Sequence, residues 1–257
     1  MTTMDEAESP AVESVGWRFI ALYAMAYMGT CLVFIAPALV SLALKVNSIE
    51  GIDRAPGSLA LVASVGALVA MVGNPLFGRI SDRTSGRHGR RRPWMVIGVV
   101  LGSLGILIVA VAPNIAVVLL GWCIAQLFFN ALLAALVAVL PDQVPAVQRG
   151  LVSGILGVCL PIASVSGTYV VQLFSGNQLA MFLAPCGIGG LFIVLFALTL
   201  KDRRLMKGDK PRWSLRELAG TFYFNPRQSP DFAWAFAGRF LFVLAYAFLT
   251  TYQAYYL

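Results

Sequence analysis

Residues 93–141 and 150–200 contain no Asp, Glu, Lys or Arg. Each run is about twice the roughly 20 apolar residues that a helix needs to cross a hydrocarbon core of ~30 Å. Lipid offers the backbone no hydrogen bonds, so a spanning segment must satisfy its own amides, and a continuous apolar run does so as a helix. A run of double length has to turn back on itself. Pro113-Asn114 supplies the turn in the first run and Ser175-Gly176-Asn177-Gln178 in the second, so each reads as an antiparallel helical hairpin. Uncharged stretches from Phe19 to Leu44 and from Ala55 to Gly78 add one helix each, and 232–257, whose one charge is Arg239, adds a seventh. The predicted spans are 17–44, 58–80, 94–112, 115–140, 151–174, 179–200 and 232–257. Only 12% of the residues are charged and the mean hydropathy is +0.80, against about a quarter charged in a soluble domain. An all-α integral membrane protein is the fold class that remains.

The formal charge of +7 is distributed by span, not by patch. Arg18, the 79–92 cluster, Arg149 and the 201–227 segment fall on one side of the predicted membrane, and only Lys45 and Arg54 fall on the other. Basic loops stay cytoplasmic, which predicts a cytoplasmic amino terminus in the cell membrane. Anionic lipid headgroups are then the expected counter-charge; nucleic acid, which needs a basic face on a folded surface, is not an expected partner. Residues 1–16 form an acidic tail (Asp5, Glu6, Glu8, Glu13) without the basic start of a signal peptide. Residues 17–200 form a six-helix bundle, 201–231 a polar linker, and 232–257 the seventh helix. In the linker Leu215, Leu218, Ala219 and Phe222 share a helical face near Trp213, which predicts a short interfacial helix. Gly98, Gly102 and Gly105 line one face of the third helix, and Gly154 with Gly157 and Gly187 with Gly190 suggest further close contacts. Cys31, Cys123, Cys159 and Cys186 all lie in apolar runs without CxxC spacing and read as membrane-buried thiols, so neither a metal nor another cofactor is expected.

The densest chemistry lies between the second and third helices, in Gly78-Arg79-Ile80-Ser81-Asp82-Arg83-Thr84-Ser85-Gly86-Arg87-His88-Gly89-Arg90-Arg91-Arg92-Pro93-Trp94. Asp82 stands at a helix carboxyl end, where the dipole disfavours an anion by about 0.3–1 kcal/mol. It therefore needs a partner: a neighbouring Arg, or another helix's amino terminus. Pro93 suits the first turn of the next helix, and Trp94 suits the membrane interface. His88 reads as a solvated spacer.

This segment resembles the signature loop of the major facilitator superfamily of secondary transporters, Gly-x-x-x-Asp-Arg-x-Gly-Arg-Arg. Gly78, Asp82 and Arg83 match its first half, and Gly89, Arg90 and Arg91 match its second half after a longer spacer, as in the sucrose-transporter and glycoside-pentoside-hexuronide branches. Asp142-x-x-Pro145-x-x-x-Arg149-Gly150 is similar to the superfamily's acidic–Pro–Arg–Gly loop, and Asn225-Pro226…Pro230-Asp231-Phe232…Arg239-Phe240 to the start of its seventh helix. The resemblance implies a six-helix half built as a 3+3 inverted repeat, followed by the first helix of a second half. It also implies a cytoplasmic gate in which Asp82 and Asp142 exchange partners among Arg83, Arg90, Arg91 and Arg149. Members normally have twelve helices, so five more are expected beyond Leu257, and the 257 residues alone are not expected to transport.

The first six helices read as free of buried Asp, Glu, Lys or His, the residue types that usually couple ions. Neutral polar residues remain for a solute: Trp122, Gln126 and Asn130 on the fourth helix, Tyr23, Tyr27 and Thr30 on the first, Ser164, Thr168 and Gln172 on the fifth, and Tyr246, Thr250 and Gln253 on the seventh. Amides, hydroxyls and aromatic faces suit hydroxyl-rich solutes; bonding helix to helix is the competing use. Arg239 either snorkels or lines the pathway. These residues point to a sugar or glycoside transporter with H+ or Na+ as a possible coupling ion. The fourth helix lacks the arginine and the fifth most of the glycine-proline motif of drug antiporters, which places efflux second. A non-transporting membrane subunit is the remaining alternative. An enzyme is not expected, since there is one loop His, no HExxH and no buried carboxylate pair. A retinal protein or seven-helix receptor is excluded by the cytoplasmic amino terminus and by a seventh helix without Lys.

Overall fold

The computed structural model describes residues 14–84, 89–200, 202 and 230–256; in the last stretch, side chains are described for 230–242, 244 and 245. The expected acidic tail (apart from residues 14–16), His88, the interfacial helix of the linker and the side chain of Tyr246 lie outside the described residues. The chain divides into two units between Pro211 and Arg212.

Among the described residues, six helical spans are long and apolar enough to cross a membrane, and the protein is a multi-pass, all-α membrane protein. The first span is α1 (Trp17–Ala36), a π-helical turn at Pro37–Ser41 and α2 (Leu42–Glu50). The second is α3 (Ala55–Arg83) and the third α4 (Arg92–Val111). The fourth is α5 (Ile115–Val137) with α6 (Val139–Gln143), the fifth α7 (Ala146–Leu173) and the sixth α8 (Gln178–Thr199). In the second unit, α9 (Pro230–Tyr256) carries exposed Phe232, Trp234, Phe236, Phe240 and Phe242 and an exposed Arg239.

Both hairpin turns are N-capped by the asparagine in them. Asn114 accepts from the Val117 amide at 3.0 Å and Asn177 from the Ala180 amide at 3.1 Å, satisfying donors that have no partner within the helix. The first span packs mainly on the fifth and sixth, the fourth on the second and third, and the third on the sixth. Exchanging spans one to three for four to six maps this set onto itself. With three spans per repeat, the second copy starts from the opposite membrane face, so the repeat is inverted.

Small residues set the closest approaches. A Cβ on Gly29 would lie 2.7 Å from the Gly189 carbonyl oxygen, and one on Gly105 would lie 2.5 Å from the Ala125 amide nitrogen and 2.8 Å from the Gly121 oxygen. Gly98 and Gly102 similarly press against Leu132 and Phe129. The expectation for Gly154, Gly157 and Gly187 is corrected: a Cβ on any of them would meet nothing within 4 Å. Their faces point away from the bundle, and Gly189 provides the sixth span's close contact instead.

A second correction concerns Lys45. It is buried within the first span, which continues to Glu50, and is not in a loop after residue 44. Its ammonium donates to the Ala110 carbonyl at 2.9 Å and to Gln178 Oε1 at 3.2 Å. Ala110 sits in the last turn of α4, where free carbonyls and the helix dipole favour a cation. That local field is what lets the helix continue through a lysine that a charge-based boundary places outside it. The first six spans therefore do contain a buried ionisable group.

Candidate functional site

The amino-terminal ends of the first, third and fifth spans meet the carboxyl-terminal ends of the second, fourth and sixth at one end of the bundle, here termed the basic end. The turn between α3 and α4 is held there by several local contacts. Trp94 Nε1 donates to Thr84 Oγ1 at 2.7 Å, and its ring lies 5.3 Å from Phe77, which closes the loop on the second span. Gly89 has φ +91°, a conformation that costs glycine little and other residues much. A Cβ there would also run into the Asp202 carboxylate. Asp202 Oδ2 accepts from the backbone amides of Arg91 at 2.5 Å and Arg92 at 3.0 Å, capping the start of α4 with a negative charge where the dipole favours it.

This capping directs Arg91 inward, and its side chain is only 6% exposed. Nε donates to Asp142 Oδ2 at 3.1 Å, Nη2 reaches Asp82 Oδ1 at 2.5 Å, and Nη1 donates to the buried hydroxyl of Ser81. Ser81 passes its own proton to the Gly78 carbonyl at 3.1 Å. Arg90 Nη2 pairs with the other oxygen of Asp142 at 2.6 Å. One guanidinium thus joins the ends of the second, third and fourth spans, and Asp202 adds the end of the sixth. The planar fork with donors in three directions suits arginine and no other side chain.

Of the residues named from sequence, Gly78, Asp82, Gly89, Arg90, Arg91 and Asp142 come together in this cluster. Gly78 faces Ala134 of the fourth span, with 4.0 Å between an added Cβ and the Ala134 Cβ. Arg149 is placed differently: it donates to the carbonyls of Val144 at 3.0 Å and Pro141 at 3.1 Å, closing the carboxyl end of α6 beside Asp142. Arg83 ends α3. Ser81 and Asp202 were not singled out from sequence. Ser81 lies inside the motif, and a hydroxyl one residue before Asp82 was the available signal; Asp202 is more than a hundred residues from the amides it caps and gave none.

The polar residues along the spans are less uniform than their spacing suggests. Trp122 is buried against Gly66 of the second span. Asn130, also buried, accepts from Asn74 Nδ2 at 3.2 Å and donates to the Gln126 carbonyl at 2.8 Å. Tyr23 is in the core, its hydroxyl donating to the Leu136 carbonyl at 3.0 Å. Thr30, Ser164 and Thr168 each donate to a carbonyl of their own helix. Gln126 and Tyr27 are half-buried and Gln172 is exposed. Arg239 belongs to the separate second unit. The four cysteines are free thiols, three of them buried.

The sequence model of the Major Facilitator Superfamily matches residues 12–257. Over 136 residues the chain is 32% identical to the MFS-type transporter oryN of Aspergillus oryzae, an alignment covering 51% of this chain and 26% of that protein. The chain thus spans about a quarter of the length of this curated relative.

Proposed function

The chain belongs to the major facilitator superfamily, and from that premise we propose that it is the gate-bearing half of a secondary transporter that moves a small, polar, uncharged solute, most simply a sugar or glycoside, by alternating access. The observation that carries this reading is the Arg91 hub. Its contacts with Asp82, Asp142 and Ser81 hold three span ends together, and partners of this kind can be exchanged when two halves rock. The distribution of Lys and Arg supports reading the basic end as the cytoplasmic one, with a cytoplasmic amino terminus and the cell membrane as the proposed location. Residues 17–200 act as one bundle, 201–231 as the linker, and 232–257 as the first helix of the partner half. Arg83, Gly89, Arg90 and Arg149 serve the same gate, with Arg149, in the first turn of α7, as an alternative partner for Asp142.

For the solute, Gln126 is the leading contact. It is half-buried in mid-membrane, one turn from the Asn74–Asn130 amide pair, with Trp122 packed behind it and Tyr27 on the first span. Gln172, Arg239 and Tyr246 remain candidates from the fifth and seventh helices. Neutral amides recognise hydroxyls without demanding a charge. Coupling to H+ or Na+ would run through the gate carboxylates or through sequence outside the described residues.

The test is solute uptake by the complete protein in vesicles. Asp82→Asn and Gly78→Leu are expected to abolish uptake while leaving membrane insertion intact. Full uptake by both would remove the gate assignment. Gln126→Ala is expected to raise the apparent solute constant, and an unchanged binding curve would make Gln126 structural.

A further inference from the structure

The first span is held differently on the two sides of its π-helical turn. Before the turn, α1 packs on the fifth and sixth spans through close backbone approaches. A Cβ on Gly189 would lie 2.5 Å from the Gly29 carbonyl oxygen, and one on Gly167 would lie 3.0 Å from the Ala36 Cβ. Ser41, at the end of the turn, donates to the Met181 carbonyl of the sixth span at 3.4 Å. Beyond it the span changes partners, and α2 packs mainly on the second span. The buried residues of α2 are Leu42, Lys45 and Val46, so two aliphatic side chains and one ammonium seat it.

The turn between these two stretches is built to bend. The Leu42 amide donates to the Pro37 carbonyl, five residues back, where an α-helix would use the fourth. Pro37 has no N–H to give to the preceding turn, and its ring crowds that turn. Sharp bends in helices arise at prolines and at π-turns, and here the two coincide.

Lys45 ties down the far side. Its ammonium lies between the last turn of the third span and the start of the sixth, on the Ala110 carbonyl and Gln178 Oε1. Gln178 Nε2 donates to Ser48 Oγ at 3.4 Å, and Ser48 Oγ donates to the Lys45 carbonyl at 2.7 Å, which completes a ring. Ser48 and Gln178 are exposed, so water reaches the outer half of this ring. Among the described residues no carboxylate pairs with Lys45; both of its acceptors are neutral. An ammonium that leaves them for water exchanges hydrogen bonds and breaks no ion pair. Such a contact is firm and reversible.

We propose that α2 is a hinged cap on the end of the bundle opposite the basic end, swinging on the Pro37–Ser41 turn and latched shut by Lys45. The proposal rests on the membrane-spanning bundle and not on the transport reading, so either can fail without the other. Opening withdraws Leu42 and Val46 from the core and leaves the Gly29–Gly189 crossing and the Arg91 hub in place.

The test is thiol labelling of the complete protein in nanodiscs by a charged maleimide, read site by site by mass spectrometry so that the four native cysteines stay in place. Val46→Cys puts a thiol under the cap, and Val171→Cys puts one on the fifth span at the same end. Both positions are buried, and each rate is divided by that of the same thiol in the unfolded protein. The thiol at position 46 should label at least about tenfold faster than the one at 171, because a local opening takes less free energy than opening the bundle. Lys45→Met should speed labelling at 46 by about a further tenfold and leave 171 unchanged. Pro37→Ala, which restores the missing N–H, should slow labelling at 46. Equal rates at the two positions overturn the cap. A Lys45→Met protein whose rate at 46 is unchanged, or whose rates rise equally at both positions, overturns the latch, and an unchanged rate in Pro37→Ala overturns the hinge. Leu42→Cys, equally buried one turn earlier, carries the same comparison should Val46→Cys not fold.

Discussion

Replacing Arg91 with Gln is expected to destabilise the six-span bundle by about 2–3 kcal/mol. All three guanidinium nitrogens are engaged, on Asp142, Asp82 and Ser81. Two limits bracket the magnitude. A fully buried ion pair stripped of one partner loses about 3–5 kcal/mol, and an exposed pair is worth about 0–1 kcal/mol. Asp142 is 26% exposed and keeps Arg90, while Asp82 is 46% exposed and can hydrate. Neither is left dry and uncompensated, so each charged contact is worth up to about 1 kcal/mol. Ser81 is fully buried and loses the donor to its oxygen, for about 1 kcal/mol more. A double-mutant cycle with Asp142→Asn should return a coupling of about 1 kcal/mol, and one with the more hydrated Asp82 about half that. Arg91→Lys offers a point charge in place of a three-way fork and should lie closer to Gln than to the native protein. The measurement is the unfolding midpoint in mixed micelles titrated with a denaturing detergent, read with one probe for all variants. An Asp142 coupling indistinguishable from zero, or an Arg91→Lys protein with native stability, would refute the hub.

The other expectations use the same assay. Gly89→Ala combines a φ of +91° with a collision against Asp202, and should cost about 2 kcal/mol. Adding Asp202→Ala should recover only the steric part, so a full recovery would show that the φ carries no strain. Lys45→Met leaves the Ala110 carbonyl and Gln178 without their donor and should cost about 1–2 kcal/mol; native stability would mean that the buried ammonium contributes nothing net. Gly105→Leu places side-chain atoms within contact of the Ala125 amide and the Gly121 carbonyl, where only backbone could yield. It should leave no monodisperse protein, and a well-behaved variant would show that the third and fourth spans can part there.

What the chain order reveals about this fold follows from how local each determinant is. Span number, both hairpin turns and the Gly98–Gly102–Gly105 contact are written in consecutive residues, because lipid forces each helix to satisfy its own backbone and Asn114 and Asn177 cap within three residues. The sequence hides the place of Lys45 because a charge reads as a boundary until the helix carbonyl that receives it is known, and Ala110 is 65 residues away. The polar stripes mislead for a related reason. Spacing puts Ser164 and Thr168 on one face, but spacing does not say that each hydroxyl already bonds the carbonyl four residues back. Gly154 and Gly157 show the converse, since glycine permits a close contact without specifying that a neighbour arrives.

The candidate site poses a harder version of the same problem. Its residue types were legible as a set, with acids and arginines at the ends of spans, but Arg83, Arg90, Arg91 and Arg149 are chemically equivalent on paper. What separates Arg91 from the rest is its position at the start of α4, where two backbone amides are claimed by Asp202 and the left-handed Gly89 turns the chain just before it. Those two contacts aim the side chain between the second and fourth spans instead of toward solvent. The cluster is therefore specified by a carboxylate that follows the sixth span, more than a hundred residues from the motif it completes. An Asp202→Asn substitution would keep the hydrogen-bond acceptor and remove the charge, whereas Asp202→Ala would remove both. If Arg91 is aimed chiefly by the cap, the Arg91–Asp142 coupling should survive the first change and fall with the second; equal couplings in both would place the aim in Gly89 alone.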